Sequence, residues 1–128
     1  MKTALPLRAA LVVCAALASA SGTLAAEPKL ITYQSSVQTA ATLKLLRGDG
    51  KVGRDTPFYS NYRPQVWFSG EKDGVTCAVR LLPPREKVEP GETAEVLLGC
   101  LEPFRVKEGQ LQFKVTEGGR VVAEGSLK

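Results

Sequence analysis

The chain has 128 residues, three cysteines, no histidine, one tryptophan, 12 glycines and 8 prolines, with a formal charge of +4. That length holds one domain rather than two, and the lack of histidine excludes a Ser-His-Asp triad, a Cys-His pair and any histidine-ligated zinc or haem. At 44% hydrophobic and 23% charged residues the chain is not disordered, collagen-like or a multispan membrane protein.

Residues 1–26 read as a secretory signal. Lys2 and Arg8 make a basic start, and no acidic residue precedes Glu27. The apolar run Ala9 to Ala18 has the length of a signal core and falls well short of the roughly 20 residues a spanning helix needs. Small residues offer cleavage after Ala20 or after Ala26. Cys14 follows Val13, where lipidation calls for a small residue, so it is expected to leave with the signal. The expected location is therefore outside the bacterial cytoplasm, periplasmic or secreted. Without Lys2 and Arg8, 15 basic residues face 13 acidic ones, too even a balance for the concentrated basic face of a nucleic-acid binder. Cys77 and Cys100 remain, and an even count in an exported chain reads as a disulfide.

In chain order, Glu27 to Ser36 reads as a flexible lead-in. Strand signals then recur between Gly, Pro and Asp clusters with no helical period, which makes the chain all-β. The first run, Val37–Leu46, alternates Val37, Thr39, Ala41, Leu43 and Leu45 against Gln38, Ala40, Thr42 and Lys44. A short aromatic strand follows at Gln65–Phe68. In Val75–Leu82, residues Val75, Cys77, Val79 and Leu81 share one face, with Thr76 on the other. In Thr93–Leu101, Ala94, Val96, Leu98 and Cys100 share one face. Leu111–Thr116 and Arg120–Ser126 are joined by Glu117-Gly118-Gly119, whose paired glycines suit a tight hairpin. If the third and fourth runs pair antiparallel around Pro83–Glu92, opposed residue numbers sum to about 176. Those of the cysteines sum to 177, so the two should be cross-strand neighbours within bonding reach, with Cα atoms about 4.5–5.5 Å apart.

Gly48 to Gly53 matches the dinucleotide pattern G-x-G-x-x-G, but Arg54-Asp55-Thr56-Pro57-Phe58-Tyr59 follows instead of a helix, so the segment reads as a loop. Asp49 and Asp55 lack the spacing of a calcium loop. Glu86, Glu89, Glu92 and Glu95 sit in or beside one loop without specifying a catalytic pair. No cofactor, metal or catalytic residue is indicated.

From Gly53 the chain continues Arg-Asp-Thr-Pro-Phe-Tyr-Ser-Asn-Tyr-Arg-Pro-Gln65. This segment resembles the opening of the third, C-terminal domain of bacterial elongation factor Tu, which carries Gly-Arg-His-Thr-Pro-Phe-Phe and then Tyr-Arg-Pro-Gln. Val75-Thr76, Glu89-Pro90-Gly91-Glu92, Lys107-Glu108-Gly109 and Phe113 to Gly125 are similar to later family segments, in the same order. The resemblance covers about Val37 to Leu127 and implies a single six-stranded antiparallel β-barrel over 37–128. The factor's GTPase domain and second barrel are absent, and so is a P-loop.

The family's third domain touches the T-stem of aminoacyl-tRNA and the exchange factor. Carried over, the tRNA-facing positions are Gln65, Thr76, Glu117 and Gly118, although strand and turn chemistry also account for these residue types. Asp55 replaces the family histidine, Glu102 stands where lysine is frequent, Cys77 replaces a glycine, and connections near Ser69–Gly74 and Gln110 are longer. Outside the cytoplasm there are no ribosomes or charged tRNA to serve. The expected function is thus an exported, non-enzymatic binding module for an unknown protein partner. Phe58, Tyr59, Tyr62, Arg63 and Trp67 are the candidate contacts, because Tyr, Trp and Arg anchor interfaces; Phe58, Trp67 and Phe68 also suit packing. The alternative is residual RNA or tRNA binding.

Overall fold

The structure, a computed structural model, describes residues 27–128; the signal read at 1–26 lies outside the described residues. Ten strands follow one another: β1 (Leu30–Tyr33), β2 (Thr39–Leu45), β3 (Phe58–Tyr59), β4 (Gln65–Trp67), β5 (Val75–Leu81), β6 (Lys87–Val88), β7 (Thr93–Cys100), β8 (Phe104–Lys107), β9 (Gln112–Glu117) and β10 (Arg120–Leu127). Six of them close a barrel in the order β10-β2-β7-β5-β4-β9, with antiparallel pairing throughout. Closure removes the sheet edges that would otherwise be left unpaired. These are the six strands expected from the alternation pattern and from the resemblance.

The alternation works because successive side chains of a strand point to opposite faces. Ala41, Leu43 and Leu45 of β2, Val75, Cys77, Val79 and Leu81 of β5, and Ala94, Val96, Leu98 and Cys100 of β7 all point inward and are buried. Val37, in the same alternating set, is 56% exposed, because β2 starts only at Thr39 and parity before a strand's start carries no direction.

β5 and β7 pair Cys77 with Cys100 directly, and the disulfide is formed. Leu101 N–H donates to the Thr76 carbonyl, so the cysteines occupy a non-hydrogen-bonded pair, the type in which strands come closest. Their Cα atoms are 3.8 Å apart, closer than the expected spacing. Gly118 and Gly119, with φ of 55° and 84°, form the two-residue turn between β9 and β10; positive φ at both central positions suits the strand twist.

The lead-in is not a loose tail. Leu30–Tyr33 pairs with β8 as a two-stranded sheet beside the barrel. Tyr33 stacks on Phe104 at 4.9 Å, and Phe104 stacks on Phe68 at 3.8 Å. The strand escapes sequence reading because Leu30 and Ile31 remain exposed and Lys29 and Gln34 flank it closely. A second ribbon, β3–β6, pairs Phe58 with Val88 and Tyr59 with Lys87. Gly48–Gly53 is a loop: Asp49 Oδ1 accepts from the backbone N–H of Lys51 and Val52, both at 2.8 Å.

Candidate functional site

One end of the barrel wall gathers most of the residues singled out above. The irregular stretch Tyr62–Pro64 runs beside β5: Val79 N–H donates to the Tyr62 carbonyl at 2.7 Å and Cys77 N–H to the Pro64 carbonyl at 3.1 Å. β4 then pairs Gln65 with Thr76 on one side and with Thr116 on the other. The result is a shallow open concavity lined by Tyr62, Arg63, Pro64, Gln65, Thr116 and the Glu117–Gly119 turn.

Two of its lining residues, Tyr62 and Glu117, belong to a bonded trio with Arg54. Arg54 Nη1 donates to Glu117 Oε2 at 2.6 Å, and the Tyr62 hydroxyl donates to the same oxygen. The Arg54 guanidinium also lies over the Tyr62 ring, 5.1 Å from its centroid, a cation–π geometry. The rest of its fork reaches Thr56 Oγ1 and the Thr56 and Pro57 carbonyls. Burial, reinforced by the hydrogen bond to the Glu117 carboxylate, pushes the Tyr62 hydroxyl well above its ordinary value, so it stays protonated and donates. Arg120 pins the neighbouring loop through the carbonyls of Gly50, Val52 and Gly53. Sequence reasoning missed Arg54, Thr116 and Arg120. Arg54 lies in the Gly-Arg-Asp-Thr-Pro segment, but only folding joins it to Glu117, 63 residues away along the chain.

The predicted partner-contact residues separate. Phe58 is 2% exposed, stacked on Tyr62 at 4.7 Å; it supports the site from beneath and offers no surface. Its inward direction comes from pairing with the buried Val88, a tertiary partner that its local sequence does not announce. Tyr59, 58% exposed, faces away beside Lys87 and does not line the concavity. Arg63 is exposed and makes no side-chain hydrogen bond or ion pair among the described residues. Trp67, 39% exposed, donates through Nε1 to Thr116 Oγ1 at 2.9 Å and so borders the same region.

The positions carried over by resemblance also converge. Gln65, Glu117 and Gly118 line the concavity, and Thr76 is the direct cross-strand neighbour of Gln65. Room is tight behind them: a Cβ on Gly74 would lie 2.8 Å from Gln65 Oε1 and 3.0 Å from the Trp67 ring. The loop carboxylates do not assemble into a pair. Glu92 accepts from Arg85 and from Glu89 N–H, Glu89 meets Lys87, and Glu95 meets Lys128 and Thr42.

The family profile described as elongation factor Tu C-terminal domain matches residues 32–128. The chain belongs to the elongation factor Tu C-terminal domain family. That domain is a non-catalytic β-barrel, in agreement with the closed six-stranded barrel here. The match begins at Thr32, inside β1 and within the segment read as a lead-in. In this member of the family, the Arg54–Glu117–Tyr62 trio joins the first loop to the last hairpin.

Proposed function

We propose that the chain is an exported, non-enzymatic binding module, an elongation factor Tu C-terminal domain used to hold a protein partner. The observation that carries this reading is the place of Arg63, exposed and with no side-chain hydrogen bond or ion pair among the described residues, in the wall of the open concavity built with Tyr62, Gln65 and Glu117–Gly119 and bordered by Trp67. An exposed guanidinium beside aromatic and amide groups is the composition of an interface anchor. Export rests on the N-terminal pattern of Lys2, Arg8 and Ala9–Ala18.

Arg63→Ala is the clean probe, because Tyr62→Ala also dismantles the trio. The tagged protein is used as bait in periplasmic extract, with Arg63→Ala and Trp67→Ala alongside. A single partner recovered by wild type and reduced at least about tenfold by Arg63→Ala, a loss of about 1.4 kcal/mol, supports the reading. Equal recovery by all three counts against it. Fractionation tests export separately: a chain found only in the cytoplasm removes that part.

A second reading, residual tRNA binding, is favoured by the convergence of Gln65, Thr76, Glu117 and Gly118. Against it, Glu117 already spends one oxygen on Arg54 and Tyr62. Filter binding at low salt decides: retention that falls steeply with added salt supports it, and no retention removes it.

A further inference from the structure

We propose that the outer edge of β1 pairs with the same edge of a second copy of the chain, antiparallel, about a two-fold axis through Ile31. The sheet β1–β8 has two edges, and they are treated differently. On the β8 side, Lys107 N–H donates to Ser69 Oγ at 2.8 Å and Arg105 N–H to Glu71 Oε2 at 2.7 Å. The Ser69–Gly74 connection therefore caps that edge with side-chain acceptors. The β1 side has no such cap among the described residues: no hydrogen bond reaches the backbone N–H or carbonyl of Leu30 or Thr32.

The phase of the ladder follows from these bonds. Because Lys107 and Arg105 turn their N–H groups away from β1, Leu30–Lys107 and Thr32–Arg105 are the non-hydrogen-bonded pairs. Leu30 and Thr32 therefore direct their own N–H and carbonyl groups to the outer edge. The bond from Glu108 N–H to the Lys29 carbonyl agrees with this phase. Exposed edges are usually blunted by charge, proline or a bulge. Leu30-Ile31-Thr32-Tyr33 has no charge, no proline and an unbroken register; only its shortness protects it.

A second copy is the occupant whose complementarity is built in. With outward groups at 30 and 32, Leu30 of one copy faces Thr32 of the other in both hydrogen-bonded pairs, and the two Ile31 residues meet at the central, closer pair. Ile31 is 39% exposed and shares its face with Val106, which is 1% exposed. Pairing extends that apolar row across the axis and covers the exposed part of Ile31. The two Lys29 side chains stay about 13 Å apart, four residues along the strand, so like charges do not oppose the contact. So short an edge belongs among small, transient interfaces, and the association is concentration-dependent.

The test is sedimentation velocity on the full chain, in the form in which it accumulates, from about 10 μM to about 1 mM, the range suited to weak contacts. Wild type is expected to shift toward twice the monomer mass. Thr32→Pro removes one outward N–H without touching the β8 ladder, and is expected to raise the dissociation constant at least about tenfold. A wild type that stays monomeric throughout, or a Thr32→Pro chain that associates equally, overturns the proposal. If Thr32→Pro does not fold, amide exchange of wild type decides: Leu30 and Thr32 must slow with concentration, and unchanged exchange overturns the proposal equally.

Discussion

One carboxylate oxygen, Oε2 of Glu117, receives both the Arg54 guanidinium and the Tyr62 hydroxyl. Removing it leaves two half-buried donors without their acceptor, the costly side of hydrogen-bond energetics. Glu117→Ala is expected to lower stability by about 1–2 kcal/mol in urea unfolding, reduced from the buried limit because the pair is partly solvated. Arg63→Ala, which removes an exposed side chain with no hydrogen bond or ion pair among the described residues, should stay within about 0.5 kcal/mol of wild type. Glu71 makes a pH prediction. The Arg105 side chain, followed by its backbone N–H, holds the Glu71 carboxyl below its ordinary value of 4.5. A carboxyl depressed in the folded state contributes stability above its unfolded pKa, and the contribution is lost as pH falls through the folded value. The stability gap between wild type and Glu71→Gln is thus expected at neutral pH and should close below about pH 4.5, read by urea unfolding at a series of pH values. These roles were not readable from residue type: a glutamate in a glycine turn and one in a surface loop look like solvated charges until their partners arrive from 63 and 34 residues away.

At the scale of elements, the barrel strands announce themselves because each has one face inward and one outward, the condition that imprints a period of two on the sequence. The pairing of Cys77 with Cys100 followed from that parity and a short connection. The bridge closes 23 residues of separation, and in the chain-entropy account its loss costs about 3 kcal/mol. Cys77→Ser with Cys100→Ser should therefore unfold at lower urea, while alkylation after reduction should label the wild type at both Cys77 and Cys100. In the β9–β10 turn, Gly118 has φ of 55° with open space around the position of a Cβ. Gly118→Ala is expected to cost about 1 kcal/mol and Gly118→Asn less, since asparagine tolerates the left-handed region. The four strands that periodicity did not reveal, β1, β3, β6 and β8, have two to four residues each. Two of them are too short for any alternation, and their existence depends on a neighbour to bond.

At the scale of the whole molecule, an aromatic stack ties the side sheet to the barrel: Tyr33 on Phe104, Phe104 on Phe68, and Phe68 against Phe113 at 5.8 Å. Phe104 is 1% exposed. Phe104→Ala should cost about 3–5 kcal/mol and raise amide exchange in β1 and β8 ahead of the barrel strands, measurable by native-state hydrogen exchange. The sequence alone determined the barrel strands, their inward faces, the cysteine pair and, through ordered segments from Gly53 to Gly125, the elongation factor Tu C-terminal domain family. Those properties are local periodicities and contiguous motifs, which a linear text preserves. Only the tertiary structure decided which polar residues are occupied and which are available. It turned Phe58 inward, committed Glu117 to Arg54 and Tyr62, left Arg63 uncommitted, and made a strand of the lead-in with one edge open. The reason is that a side chain's partners are set by closure of the barrel, which joins residues far apart in the chain, and no local pattern records that distance.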